Sequence, residues 1–205
     1  MKTIKYNKQK CEVSKVVCIG RNYVEHIEEL GNEIPSSMVV FNKPNSAISD
    51  TLYYFSEHCR FEGEICSLVR DKKIDAVGFG LDLTHADIQN HLKSKGLPWE
   101  RAKAFDNSAV LSEFVPICED LSILEMKLTI NDVLVQFATY DLMMYKPHTM
   151  LSEIQSFMTL EDNDIIMSGT PKGVGTYAVG DRFVGQVFSG ETLLIEKEWL
   201  VEQPI

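Results

Sequence analysis

Short strand-like segments run through this chain from end to end, and helices do not separate them at regular intervals. Each segment is rich in apolar and β-branched residues, and turn-forming residues bound it, which is typical of a β-strand. Regular strand–helix alternation would build a doubly wound parallel sheet, so its absence predicts an α+β fold. The predicted strands cover residues 16–20, 38–41, 61–69, 76–81, 124–130 and 133–139, with two more from residue 181 on that Ser189 and Gly190 separate.

Three short helices are predicted between these strands. They cover residues 22–30, 86–95 and 151–158. Asn22 is the candidate cap of the first helix and Gly31 its stop signal, while Gly96 ends the second. The third has apolar residues at helical spacing, including Phe157, and should pack on the core.

Clusters of glycine, proline and polar residues mark the turns and loops. The pair Asn131-Asp132 joins two alternating segments and predicts a β-hairpin. Residues 70–73 are expected to form a solvated turn between two strands. Residues 31–37 are expected to form a mobile loop, and another loop after Trp99 carries Lys103.

Length and composition favour one globular domain. With 205 residues and 44% hydrophobic content, we expect one domain over residues 1–205, with its core at about 14–200. The formal charge of −10 argues against a nucleic-acid partner. No segment approaches the ~18 apolar residues that span a bilayer, and no apolar signal region is present, so no membrane partner is expected.

The cysteines favour a reducing compartment. Five are present without a Cys-x-x-Cys pair, which fits reduced thiols and predicts a cytoplasmic location. They are Cys11, Cys18, Cys59, Cys66 and Cys118.

Three carboxylates on two strand-like segments indicate a metal site. Glu62 and Glu64 are two residues apart, and alternate residues of a strand point to the same face. Asp82 follows a glycine-rich apolar run that predicts a second strand reaching the same place. Two adjacent negative charges on a half-buried strand face cost free energy unless a cation lies between them. A ligand set made only of oxygen atoms favours Mg²⁺ first, then Mn²⁺ or Ca²⁺. The alternative is an exposed strand face with ordinary acids.

His26 and Glu29 are three residues apart on the first predicted helix, so their side chains are neighbours. A carboxylate beside an imidazole orients it and raises its basicity, which suits a general base near neutral pH. Glu25 and Glu28 also flank His26, and a plain surface pair is the structural alternative. Lys103 lies in an apolar setting, where an ammonium either reaches solvent as a surface lysine or pairs with an anion.

Residues 169–175 form a glycine-rich segment that does not fit the phosphate-binding P-loop pattern, so no nucleotide site is predicted. Its backbone N–H groups and the Thr170 hydroxyl could hold a substrate carboxylate, for which Arg21 is a second candidate. A plain tight turn is the alternative for the glycines. Ser168 lacks the sequence context of a hydrolase nucleophile, which argues against serine hydrolase chemistry.

Several blocks of sequence, in one order and spacing, resemble the fumarylacetoacetate hydrolase family. They are Val17-Cys18-Ile19-Gly20-Arg21-Asn22-Tyr23 with His26 and Glu29, Phe41-Asn42-Lys43-Pro44, the Glu62/Glu64 pair, Asp82-Leu83-Thr84 with Asp87 and Gln89, Lys95-Gly96-Leu97-Pro98-Trp99 with Lys103 and Phe105, and Ser168-Gly169-Thr170-Pro171-Lys172-Gly173-Val174-Gly175. The short members that act on acylpyruvates and oxaloacetate are the most similar, because the chain has no room for the amino-terminal domain of fumarylacetoacetase.

The resemblance implies a mixed β-sandwich or rolled β-barrel and a homodimer. It also implies that His26 and Glu29 are the catalytic pair and that Lys103 stabilises a developing enolate or a substrate oxygen. Gln89 joins Arg21 and Thr170 as a residue expected to bind substrate.

The implied function is a Mg²⁺-dependent enzyme that hydrolyses the C–C bond of acylpyruvates or decarboxylates oxaloacetate through a metal-bound enolate. A keto–enol tautomerase or isomerase of the same family is the alternative, and an inactive metal-binding protein is the least favoured. The chain departs from the family pattern at Phe61, where histidine is common, and at Ala86, where arginine is common. Substrate preference could have changed there, and at Glu33 and Ile34.

Overall fold

The computed structural model describes residues 1–29, 35–117 and 120–204, apart from the side chain of Glu28. The strands in these ranges are β1 (Thr3–Tyr6), β2 (Gln9–Glu12), β3 (Lys15–Gly20), β4 (Val39–Pro44), β5 (Ile48–Ser49), β6 (Cys59–Phe61), β7 (Gly63–Arg70), β8 (Lys73–Asp82), β9 (Thr84–His85), β10 (Ala109–Leu111), β11 (Val115–Pro116), β12 (Leu124–Ile130), β13 (Val133–Thr139), β14 (Ile165–Met167), β15 (Gly175–Thr176), β16 (Arg182–Ser189) and β17 (Thr192–Leu200). The α-helices are α1 (Val24–Glu29), α2 (Ala86–Ser94), α3 (Glu100–Lys103) and α4 (Pro147–Phe157), and short 3-10 helices lie at Asn45–Ala47, Leu121–Ile123 and Tyr140–Leu142.

A mixed eight-stranded sheet forms the centre of the fold. Its order is β4-β3-β14-β7-β8-β10-β5, and β11 also pairs with β8. Strand β3 is parallel to β14 and β5 is parallel to β10, whereas β7 and β8 are antiparallel. A second, antiparallel sheet has the order β13-β12-β16-β17. The central sheet curls into a half-barrel and the helices are few and short, which confirms the α+β prediction with a rolled sheet.

Aromatic side chains join the two sheets. The ring of Phe79 on β8 lies 6.1 Å from that of Trp199 on β17. Gly185 of β16 makes room for this packing, because a Cβ there would lie 2.4 Å from the Phe79 ring. Phe183 on β16 also forms an edge-to-face pair at 5.2 Å with Phe61 on β6, a strand of a separate three-stranded sheet with β9 and β15. The second sheet is thereby held against β8, the strand that ends at Asp82.

Two predicted turns are confirmed by their backbone conformation. Asn131 and Asp132 have φ angles of 51° and 65°, and they close the β12–β13 hairpin. Asp71 and Lys72 have φ angles of 48° and 60° between β7 and β8. Positive φ at both central residues matches the twist of two-residue hairpins, and Asn and Asp tolerate it well.

Three local predictions are wrong. Asn22 does not cap α1, because its side-chain amide donates to Tyr145 O at 3.0 Å and accepts from the Tyr145 N–H at 2.6 Å. The segment after Trp99 forms helix α3 rather than a loop. The last helix begins at Pro147, which suits a first helical position; its Leu151 and Ile154 pack in the core as predicted, but Phe157 is 57% exposed.

Some predictions fall outside the described residues. They concern Gly31, Glu33, Ile34, most of the loop at residues 31–37, and Cys118. The other four cysteines are free thiols. In the described ranges, no helix is both long enough and apolar enough to cross a membrane.

Candidate active site

Glu62, Glu64 and Asp82 meet at one end of the β7–β8 pair. One carboxylate oxygen from each residue lies within 4.8 Å of the other two. Strand register produces this cluster, because Glu64 is paired with Gly80 and the backbone N–H of Asp82 donates to Glu62 O at 2.8 Å. Glu64 and Asp82 are buried, and Glu62 is partly buried. The alternative of ordinary acids on an exposed strand face is therefore wrong.

The strand that carries Glu64 does not include Glu62, which corrects the prediction of one continuous strand. β6 ends at Phe61 and belongs to a three-stranded sheet with β9 and β15, whereas β7 begins at Gly63 in the central sheet. Glu62 therefore links two sheets. A Cβ on Gly63 would lie 2.8 Å from the side-chain oxygen of Gln136, so glycine permits a close approach of β13 to this corner.

Burial and neighbouring charges shift the pKa values of two of these carboxylates, Glu62 and Glu64. Burial raises the pKa of Glu64 well above its usual range, and the charges of Asp82 and Glu62 raise it further. Burial acts on Glu62 in the same direction, but the ammonium of Lys103, the neighbouring His26 and the hydrogen bonds from Thr84 and Lys103 together outweigh it and lower that pKa. A divalent cation between the oxygens would remove this repulsion. The donor set therefore fits a hard cation, which these three carboxylates would hold.

The ammonium of Lys103 lies against the carboxylate cluster. It donates to Asp82 Oδ2 at 2.7 Å and to Glu62 Oε2 at 3.0 Å, and the residue is buried. Burial alone would lower the pKa of Lys103, but the charges of Asp82 and Glu62 raise it above its usual value. The surface-lysine alternative is therefore wrong, and a positive group is fixed beside two of the three candidate ligands.

Lys43 is a second buried lysine of the site, and it was not among the residues predicted from the sequence. Its Nζ lies 2.7 Å from Asp82 Oδ1 and donates to Ser108 Oγ at 3.0 Å and Leu83 O at 3.2 Å. The available signal was a lysine in a strand-like segment, because a lysine is seldom fully buried without a partner. Lys43 and Lys103 hold Asp82 from two sides.

His26 and Glu29 form the expected pair. His26 Nδ1 lies 3.2 Å from Glu29 Oε2, and His26 is buried. Gly173 of the glycine-rich segment donates its N–H to Glu29 Oε1 at 3.1 Å, which fixes the carboxylate from its other side. Glu25 instead pairs with Lys172 at 3.0 Å. Geometry thus selects Glu29 over Glu25 as the partner of the imidazole.

The glycine-rich segment forms hydrogen bonds with other parts of the protein. The Gly169 N–H donates to Glu64 Oε2 at 2.7 Å. The Thr170 hydroxyl donates to Gly63 O at 2.9 Å and accepts from Gln136 Nε2 at 2.8 Å. The one hydroxyl proton of Thr170 is donated to Gly63 O, so in this arrangement Thr170 does not donate to a substrate carboxylate as expected. Gln136, a further residue not predicted from the sequence, ties the segment to β13.

A Gly173→Ala substitution tests whether close packing against Val135 constrains the turn that holds Glu29. Gly173 has a φ of 98°, and a Cβ there would lie 2.0 Å from Val135 O. Gly180 has a similar φ of 89° with open space around it, so Gly180→Ala is the matched control. We expect about 1 kcal/mol of destabilisation for Gly180→Ala and about 3 kcal/mol or more for Gly173→Ala, measured by urea unfolding. Equal losses would show that the Val135 contact does not constrain the turn.

These side chains surround a cavity that is partly open to solvent. The predicted site residues that line it are Arg21, His26, Glu62, Glu64, Asp82, Gln89, Lys103 and Thr170. Glu29 does not line the cavity but contacts His26, which does. Lys93 and Trp99 also line the cavity, although neither was predicted as a site residue.

Comparison with known proteins identifies the family to which this fold and site belong. The family model described as fumarylacetoacetate (FAA) hydrolase C-terminal matches residues 15–198. The chain is 36% identical over 200 residues to an oxaloacetate tautomerase of Escherichia coli (strain K12), covering 88% of this chain and 91% of that protein.

Two solved structures share the fold. A crystal structure from Oleispira antarctica, described as a candidate fumarylacetoacetate isomerase/hydrolase, superposes with a TM-score of 0.93 at 30% identity, covering 98% of this chain and 100% of that one. The fumarylpyruvate hydrolase of Pseudomonas aeruginosa, solved in complex with Mn²⁺ and pyruvate, has a TM-score of 0.87 at 24% identity, covering 98% and 96%.

Proposed function

This chain belongs to the fumarylacetoacetate hydrolase family, and on that premise we propose that it catalyses the keto–enol tautomerisation of oxaloacetate with a divalent cation. One observation carries the proposal: His26, which pairs with Glu29, lines the same cavity as the cluster of Glu62, Glu64 and Asp82. A base and a candidate electrophile site within one small cavity suit proton transfer next to a carbonyl group.

The names of the relatives support this reaction over others of the family. The Escherichia coli protein is an oxaloacetate tautomerase. A mitochondrial protein of Schizosaccharomyces pombe, 34% identical over 198 residues, has the same name, and the match covers 86% of this chain and 90% of that protein. At this identity and coverage, a shared type of substrate is the simplest expectation.

His26 is the proposed proton carrier. Because Glu29 occupies Nδ1, the favoured neutral tautomer has its proton on Nδ1 and the lone pair on Nε2. Nε2 then accepts a proton from C3 of the keto form. The C3–H electrons form the C2=C3 double bond, and the C2=O electrons move onto oxygen. Return of the proton to that oxygen gives the enol, so nothing is consumed.

Negative charge develops on the C2 oxygen during this transfer, and Lys103 supplies a fixed positive charge in the same cavity. A divalent cation held by Glu62, Glu64 and Asp82 would supply a Lewis acid for the carbonyl, worth several kcal/mol. Mg²⁺ is the first candidate, and Mn²⁺ or Ca²⁺ are alternatives.

Cleavage of acylpyruvates or decarboxylation of oxaloacetate is the second candidate function. The His26–Glu29 pair favours it, because an imidazole oriented by a carboxylate could equally deprotonate a water molecule. Both reactions release pyruvate, whereas tautomerisation does not.

Turnover of oxaloacetate and acetylpyruvate separates these functions. Enol and keto forms are followed by ultraviolet absorbance and pyruvate by a coupled assay, in Mg²⁺ and in excess EDTA. We expect metal-dependent interconversion of the oxaloacetate forms without matching pyruvate release. Metal-dependent pyruvate release would move the assignment to cleavage or decarboxylation, and no metal-dependent change would reject both.

Four further expectations stay predictions. They are one catalytic domain over residues 1–205, Mg²⁺ as the cellular ion, a homodimer, and a cytoplasmic location. Metal content, light scattering and cell fractionation would test the last three, and limited proteolysis the first.

A further inference from the structure

One face of helix α2 lines the cavity. Ala86, Gln89 and Lys93 are spaced by three and four residues, which places them along one side of a helix. Gln89 and Lys93 both line the cavity, whereas Ala86 is buried and does not line it. Of these three residues, Lys93 therefore brings a positive charge to the cavity.

Aromatic packing holds the Lys93 side chain in place. Its Nζ lies 5.3 Å from the centre of the Trp99 ring, and that ring lies 5.9 Å from the ring of Phe41. Both aromatic residues line the same cavity. Within the described ranges, no carboxylate forms an ion pair with Lys93. Its ammonium is thus positioned by apolar contacts and a cation–π contact, and its charge is available to a ligand.

Positive charges lie around Lys93. Burial lowers the pKa of Lys93, and the charge of Arg21 is the next largest cause, while Glu62 acts in the opposite direction. Arg21 lines the cavity as well. An anionic ligand in the cavity would favour the charged form of Lys93 against these two effects.

We propose that Lys93 binds the second carboxylate of a four-carbon 2-oxo-dicarboxylate and so selects dicarboxylic over monocarboxylic substrates. The inference rests on the proposed function, in which the 2-oxoacid end of the substrate lies at the carboxylate cluster. A cavity with one cationic group beside that cluster, Lys103, and another at Lys93 matches a dianion better than a monoanion.

Two hydroxyacids that cannot undergo keto–enol tautomerisation, malate and lactate, test whether Lys93 selects dicarboxylates. Malate and lactate share the 2-hydroxyacid end, and only malate has a second carboxylate. Their dissociation constants are measured by isothermal titration calorimetry in Mg²⁺ for the wild type and for Lys93→Met, which keeps the apolar stem against Trp99. We expect malate to bind about tenfold more weakly to Lys93→Met, and lactate to change by less than about twofold.

Two further variants complete the design. Lys95 is exposed at the end of the same helix and does not line the cavity, so Lys95→Met should leave both constants unchanged. Lys93→Arg should restore most of the malate affinity because it restores the charge. Equal weakening of malate and lactate, or none, in a folded Lys93→Met protein would overturn the proposal.

The failure of this inference is distinguishable from the failure of the proposed function. If oxaloacetate is tautomerised but Lys93→Met keeps its preference for malate, only the role of Lys93 is rejected. If Lys93→Met loses that preference and oxaloacetate is not turned over, the role of Lys93 stands and the reaction is wrong.

Discussion

A Glu64→Gln variant is expected to lose divalent-cation binding while folding at least as stably as the wild type in EDTA. The substitution keeps the shape of the side chain, and the new amide oxygen can still accept from the Gly169 N–H. It removes one of three ligand charges from a buried cluster. We expect Mg²⁺ affinity to fall by about a hundredfold or more, because even outer partners of metal ligands account for 10–100-fold. Calorimetric titration and turnover should fall together.

The stability measurement separates this effect from misfolding. Burial and the neighbouring carboxylates raise the pKa of Glu64, so its ionised form is unfavourable without a cation. A neutral side chain should therefore not lower the melting temperature in EDTA, although it should abolish the increase that Mg²⁺ gives the wild type. A variant that melts earlier in EDTA, or still binds Mg²⁺ at wild-type strength, would contradict the assigned ligand set.

Asp82→Asn provides a contrast within the same cluster. Asp82 contacts the ammonium groups of both Lys43 and Lys103, which are buried. Removal of its charge leaves two buried cations with too little compensation, which costs about 3–5 kcal/mol for a broken buried pair. Asp82→Asn should thus lose both stability and metal binding, whereas Glu64→Gln should lose metal binding alone.

His26→Gln is expected to lower kcat by about 10²–10⁴, the usual contribution of a positioned general base. Its Mg²⁺ affinity should stay within about twofold of the wild type, because His26 is not one of the clustered carboxylates. Initial rates of keto–enol interconversion and calorimetric titration of Mg²⁺ give the two readouts.

Glutamine variants of the neighbouring residues control this result. Glu29→Gln should give a smaller loss, because Glu29 orients the imidazole and contacts no substrate atom in the proposed mechanism. Glu25→Gln should be neutral, since Glu25 pairs with Lys172 on the surface. His58 is well exposed beside Glu57, so His58→Gln should also be neutral. A fully active His26→Gln protein would show that another group moves the proton.

The contacts of Gln136 and of Gly173 show what could not be predicted from the sequence. Gln136 donates to Thr170 and accepts from the Gly63 N–H, which is 73 residues away along the chain. The hydrogen bond from Gly173 to Glu29 joins residues 144 positions apart. Neither partner carries a local signal of the other, because each contact depends on how the two sheets pack.

The sequence by itself determined the features that depend on near neighbours. Strand alternation, the positive-φ turn at Asn131-Asp132 and the spacing of Glu62 from Glu64 are properties of a few consecutive residues, so the pattern contains them. Helix α1 likewise brings His26 close to Glu29 through one turn.

Tertiary structure decided everything that requires two distant segments to meet. The β7–β8 register brought Asp82 to the two glutamates, and burial then raised the pKa of Glu64 and held the ammonium of Lys43 against Asp82. Helix α2 turned Lys93 into the cavity. Charge interactions gain their strength only where folding has removed water and fixed the distance, and a sequence specifies neither quantity locally.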